Sequence, residues 1–177
     1  LDQFFKLIYA VENIREVADM AQRSPSETGK NAEDLFSNGL FCAESTVLAI
    51  AASQGVESEI LPRAATGFCS GMARTCGTCG ALSGAIMGLG LVLGRDNADG
   101  SVERAYEAVG RLIRRFEEEF GSTNCMGILD CDLGTPEGQA LFRENNLRKL
   151  CTRITGRAAV IAAELLDEIE EKERREC

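Results

Sequence analysis

The stretch GFCSGMARTCGTCGALSGAIMGLG, residues 67–90, sets Cys69, Cys76 and Cys79 within eleven positions and then runs on, glycine-spaced and uncharged after Arg74. Thiols this crowded can staple a loop, form a redox pair or hold a metal, and only the thiolate does the last two. Cys76 and Cys79 have the two-residue spacing that suits two ligands of one metal or a redox dithiol. Thr75 or Thr78 can cap the helix that follows, which places Cys79 in its first turn. Free N–H groups and the helix dipole favour negative charge there. Cys42 starts an expected helix, Cys125 follows FGSTN just past a helix end, and Cys151 sits near the start of the last helix. Separate elements thus offer a thiol at an end. Cys131 shares the loop of Cys125 and either joins it or points away. Cys177 reads as an inert thiol at a frayed end, and Glu44, next to the expected site, as an acid on a solvated helix face.

The chain has no histidine. A histidine general base, a Cys-His dyad, a Cys₂His₂ zinc site and C-x-x-C-H haem attachment are therefore excluded. The net charge of −9 argues against nucleic acid and against an anionic membrane surface as partners. No nucleophile elbow, P-loop or H-E-x-x-H motif supports catalysis beyond redox chemistry, and enzymatic activity stays open. FFKLIYAV is too short and too flanked by acids for a signal peptide. The chain starts at Leu1, as one that has lost a leader or been trimmed would. A cytoplasmic location is expected, where eight cysteines stay reduced and metal or redox use is favoured over structural disulfides.

The elements that must position these thiols are all helical. Residues 1–22 carry Phe4, Ile8, Val11 and Ile14 at helical steps, ended by Ser24-Pro25. This N-terminal helix and linker, 1–29, either covers the bundle or packs on a second copy in a homodimer. Asn31 is the expected N-cap of a short helix stopped near Gly39, and helices are expected over 42–55, about 57–65 and about 78–94. Residues 101–121 are amphipathic, with Tyr106, Val109, Leu112, Ile113, Phe116 and Phe120 inward. A helix restarts at Pro136 and the last runs from roughly 155 to 175. Twenty residues between Arg74 and Arg95 carry no charge, a length near that of a membrane span. The first third is a polar loop and no second span accompanies it, so this reads as the central helix of a bundle. The expectation is all-α: one domain, 30–177, of about six or seven helices with Cys/Gly-rich loops.

The pieces FCAESTVLA, ATGFCSGMARTCGTCGALSGAIMGLGL, FGSTNC, DLGTPEG and LC (150–151) resemble the bacterial and archaeal redox-active proteins named for a C…GCAxxG…C…C pattern. A related domain occurs in split-Soret cytochrome c. The resemblance covers roughly residues 30–166, and its four cysteines map to Cys42, Cys79, Cys125 and Cys151, with CGALSG standing where the label has GCAxxG. It implies a redox or electron-transfer role, with those four holding an iron–sulfur cluster, [2Fe–2S] or [4Fe–4S]. The relative's haem does not carry over to a chain without histidine. Cys69 and Cys76 stand where many members have glycine, so a set including Cys69, Cys76 and Cys79, or a larger cluster, also stays open.

Three functions compete at this level. The first is an iron–sulfur protein passing electrons to an unidentified redox partner, with Cys42, Cys79, Cys125 and Cys151 as ligands and Cys76 and Cys69 next. The second is a metal-free thiol–disulfide oxidoreductase using Cys76 and Cys79, which lacks the usual βαβ context. The third is a structural zinc-binding or disulfide-stapled module, although a chain of this length does not need a staple.

Overall fold

The computed structural model describes residues 24–176. Their regular structure is α1 (Pro25–Ser37), α2 (Cys42–Ser53), α3 (Leu61–Ala65), α4 (Gly80–Leu93), α5 (Glu103–Phe120), α6 (Cys125–Leu129), α7 (Pro136–Glu144) and α8 (Arg148–Glu176). Only an isolated bridge between Thr78 and Asn124 departs from helix or turn. The all-α expectation holds, in one helical body. The helix expected over 1–22, and Cys177, lie outside the described residues.

α1 begins earlier than Asn31. Ser24 accepts the Glu27 N–H at 3.3 Å, Glu27 accepts the Ser24 N–H at 2.9 Å, and Pro25 opens the first turn. This reciprocal capping satisfies two N–H groups that a helix end leaves free. The Ser24-Pro25 pair, expected to end one helix, starts another. α3 is likewise shorter than the expected 57–65, and α8 begins at Arg148, which places Cys151 in its first turn.

α4 is central. Ala81, Leu82, Ala85, Leu89 and Leu93 are buried, and α2, α5 and α8 pack around it. No described helix is long and apolar enough to cross a membrane. α2 approaches α4 so closely that a Cβ on Gly84 would lie 2.5 Å from the Ala43 carbonyl oxygen. The core continues through Ala108, Leu112 and Phe116 of α5 and Ile154, Ala158, Ile161 and Leu165 of α8. Tyr106, expected inward, lies past the edge of the α5 stripe and is 69% exposed. Arg115 meets Glu168 at 2.8 Å and Arg157 meets Glu119 at 2.9 Å along the solvated flank of α5 and α8. Such partly exposed pairs stabilise modestly. The register comes from the apolar stripe.

Candidate metal centre

The chain between α3 and α4 does something unusual for L-residues. After a 3₁₀ turn at Thr66–Phe68 it winds left-handed, with φ of 56° at Ser70, 66° at Gly71, 56° at Met72, 54° at Ala73 and 68° at Arg74, and returns to 60° at Cys76. Each non-glycine residue held this way costs roughly 1–2 kcal/mol. Ala73 is exposed. Ala73→Gly is therefore expected to stabilise the fold by about 1 kcal/mol, against the usual sign of an Ala→Gly change. Urea denaturation would read it as a higher midpoint with unchanged slope.

Hydrogen bonds pin this turn to the start of α6. The Gly71 carbonyl accepts from Gly77 N–H at 3.0 Å, the Gly77 carbonyl accepts from Cys125 N–H at 2.9 Å, and Cys79 N–H donates to Thr123 at 2.8 Å. A Cβ on Gly71 would sit 2.5 Å from the Cys125 Cβ, so both conformation and space demand glycine there. The loop expected over 67–77 is thus an ordered clamp that presses Cys125 towards Cys79.

Four thiols line one cavity of about 200 Å³: Cys42, Cys79, Cys125 and Cys151. Cys42 is the first residue of α2 and Cys125 the first of α6. Cys79 occupies the N-cap position of α4 itself; neither Thr75 nor Thr78 caps the helix, because Thr78 is paired with Asn124. The Cys79 side chain itself makes no capping hydrogen bond. Burial raises the Cys79 pKa, and the nearby backbone of Ala81 and Leu82 opposes the rise. Burial, followed by the neighbouring cysteines, pushes the Cys125 and Cys151 thiols up to about 12. The thiols influence one another across the cavity, Cys79 acting on both Cys125 and Cys151. Anything that binds here as thiolate must displace protons, and the favourable charge of the bound group has to overcome that cost.

The other expected candidates lie outside this lining. Cys69 is buried beside Cys42 and its thiol donates to the Ala65 carbonyl at 3.8 Å. The Cys42 sulfur, with burial, drives the Cys69 thiol well above its ordinary range. The half-buried Cys76 donates to Asp132 Oδ1 at 3.1 Å, which raises its pKa and lowers that of Asp132. Cys76 and Cys79 therefore face different surroundings. Cys131 is buried and packs with Cys125 and Leu129. Glu44 is not on a solvated face: it is 7% exposed, and its carboxylate accepts the Phe41 N–H and the Thr66 hydroxyl, each at 2.7 Å. It caps α2 and fixes the Cys42 backbone.

Several lining residues had no reading in the sequence. Thr155 is fully buried and its hydroxyl has no hydrogen-bond partner. Arg74, Arg143 and Arg148 also line the cavity. The signal for part of this set was available, since Arg148, Cys151 and Thr155 repeat at three and four residues, one face of a helix.

The donor set is four thiols with apolar walls from Phe36, Leu129, Leu133 and Ile154. Among the described residues no three Cys, Asp or Glu side chains converge tightly enough for a single metal ion. Thiolates are soft ligands, and four of them are a donor set chemically suited to an iron–sulfur cluster or to zinc.

An all-α body whose helix ends present thiols to one cavity defines a cysteine-rich, redox-type protein. The family described as "Putative redox-active protein (C_GCAxxG_C_C)" matches residues 40–165, well over half of the chain, and the chain belongs to that family. No curated protein and no solved structure matches the chain.

Proposed function

We propose that this protein is an iron–sulfur electron carrier whose cluster is held by Cys42, Cys79, Cys125 and Cys151. One observation carries the reading: thiols from the N-terminal ends of four helices, distant in sequence, line the same cavity. The resemblance described above implies the same four ligands. A bound cluster would supply one-electron transfer, as [2Fe–2S] or [4Fe–4S] centres held by four cysteines do. The chain's own residues then set its properties. The unpaired N–H groups at the start of α4, beside Cys79, would favour negative charge and raise the potential. Phe36, Leu129, Leu133 and Ile154 would keep water from the sulfurs. The left-handed clamp and the Glu44 cap fix Cys125 and Cys42 before anything binds. A reducing compartment such as the cytoplasm would keep the thiols free, and a redox protein partner would exchange the electron.

Purification without oxygen, with visible absorption and quantified iron and acid-labile sulfide, tests this directly. Matched iron and sulfide are expected, falling sharply in Cys→Ser variants at positions 42, 79, 125 and 151 and persisting in Cys76→Ser. A colourless chain without iron, protected from oxidation throughout, would overturn the reading. Zinc in that sample would favour the structural-zinc alternative, and no metal the Cys76/Cys79 dithiol.

A further inference from the structure

We propose that the mouth of the thiol cavity is an anion-recognition site whose arginine rim takes small carboxylates with an apolar body, above the thiol floor. This rests on the cavity being the redox site and names the class of small molecule that reaches it.

Burial divides the lining by depth. Cys79, Gly80, Ala81, Cys125, Leu129, Ile154 and Thr155 are buried and form the floor, whereas Phe41, Arg74, Arg143 and Arg148 are exposed and form the rim. In a chain of net charge −9 the lining contains three arginines and no Asp or Glu. On α5 and α8, Arg111 and Arg115 meet Glu168, Arg104 meets Glu173 and Arg157 meets Glu119, while Arg114 and Arg153 have no carboxylate partner among the described residues. Arg74 and Arg143 have no carboxylate partner among the described residues. Arg148 is held in place by one hydrogen bond to the Phe36 carbonyl at 2.8 Å and by lying 4.7 Å over the Phe36 ring. Guanidinium carries five N–H donors, so most of those on Arg148 remain available in a fixed orientation, in the fork that matches a carboxylate.

The walls below the rim decide the rest of the ligand. Phe36, Ile128, Leu133 and Phe142 are apolar, which suits a hydrocarbon body and not a bare inorganic ion. At the floor the Thr155 hydroxyl is buried and unpartnered, an unusual state for a native polar group and one that a polar atom of whatever fills the floor would relieve. Gln139, also lining the cavity, adds an amide to the polar set.

An alternative use of the arginines is to offset the charge of thiolates or a cluster. Their placement speaks against it. All three are exposed at the rim, whereas Cys79 and Cys125 are buried at the floor. Exposed charges at a mouth are screened from the floor but attract a charged molecule arriving from solvent, which is how a cleft of one sign raises a local ligand concentration.

Iodoacetate and iodoacetamide test this, because they alkylate the same thiolate and differ in that the first is a small carboxylate. Their rate ratio at one cysteine cancels the thiolate fraction. The full-length chain, reduced and treated with chelator, is labelled at low ionic strength after circular dichroism has verified its helices, and the products are mapped. At Cys125 and Cys151 the iodoacetate/iodoacetamide ratio is expected to exceed that of the urea-unfolded chain by several-fold, up to about tenfold. The excess should shrink with added salt, fall by about half or more in Arg74→Gln/Arg143→Gln, which leaves Arg148, and return in the corresponding Lys double variant. Both positions are exposed, so the substitutions leave the core intact. A ratio at Cys125 and Cys151 equal to that of the unfolded chain, or unchanged by the Gln variant, overturns the proposal. Iron content is read separately. A cluster present with unselective labelling defeats only the anion site, and selective labelling in a chain that never binds iron defeats only the electron-carrier reading.

Discussion

Gly84→Val is expected to destabilise the bundle by about 3 kcal/mol or more, a large share of the roughly 5–15 kcal/mol that holds a domain together. Helix propensity alone points the other way, since glycine inside a helix is about 1 kcal/mol worse than alanine. Contact geometry decides the sign. A Cβ on Gly84 would meet the Ala43 carbonyl oxygen at 2.5 Å and both the Ala43 Cα and the Thr46 Cβ at 3.0 Å. Two of these are backbone atoms of α2, so relief requires the whole helix to move, and valine adds two methyl groups to the conflict. Gly90 in the same helix supplies the control. A Cβ there meets nothing within 4 Å, so Gly90→Ala should gain about 1 kcal/mol from propensity. Denaturant midpoints read both. If Gly84→Val and Gly90→Ala shift the midpoint alike, the close α2–α4 contact does not exist in solution. A collapse specific to Gly84 would also remove any bound group, because α2 carries Cys42 and Cys79 holds the N-cap position of α4.

The helices were legible where local chemistry and packing agree. Pro136 after Thr135 starts α7 as expected, with the Thr135 hydroxyl accepting the Gly138 N–H at 3.0 Å. The uncharged run was read as a central helix because a polar loop shortened it, and α4 is that helix. Two kinds of feature escaped. Caps compete locally, and a sequence does not say which of several candidates prevails: Ser24 took the role expected of Asn31, and Cys79 holds the N-cap position of α4 with no side-chain cap, where Thr75 or Thr78 was expected. The left-handed turn was invisible for a stronger reason. Ser70, Met72, Ala73 and Arg74 have no intrinsic preference for φ > 0, so only tertiary contacts with the start of α6 can impose it. The two departures noted at Cys69 and Cys76 bracket this turn, and Cys76 is itself left-handed. Glycine would relieve conformational cost at Cys76 alone, since Cys69 has φ −66° and ψ 155°, which any residue adopts. The acid at Glu44 was misjudged because a carboxylate three residues into a helix can fold back onto its own N-terminus and be buried at little cost.

Gly80→Ala should separate the site from the fold. Its position in the first turn of α4 has ordinary helical φ, so alanine meets no backbone strain and gains in propensity. Its Cβ would lie 2.4 Å from the Cys42 sulfur, 2.9 Å from the Phe68 carbonyl oxygen and 3.1 Å from the Cys69 Cα. The sulfur is the end of a short side chain and can rotate about χ1, whereas the Phe68 carbonyl can give only by a small shift of the turn. Cys42 is therefore expected to swing out of the cavity while the helices stay in place. Iron and sulfide should fall about tenfold or more, as loss of one ligand of four does when the remaining three cannot close the site. Circular dichroism and the denaturant midpoint of the metal-free chain should change little, within roughly 1 kcal/mol. Gly84→Val, by contrast, loses both together. Full iron content in Gly80→Ala would show that Cys42 is not a ligand. The neighbouring Cys69 would then be the thiol to test on that side of the cavity, because its sulfur lies against the same end of α2.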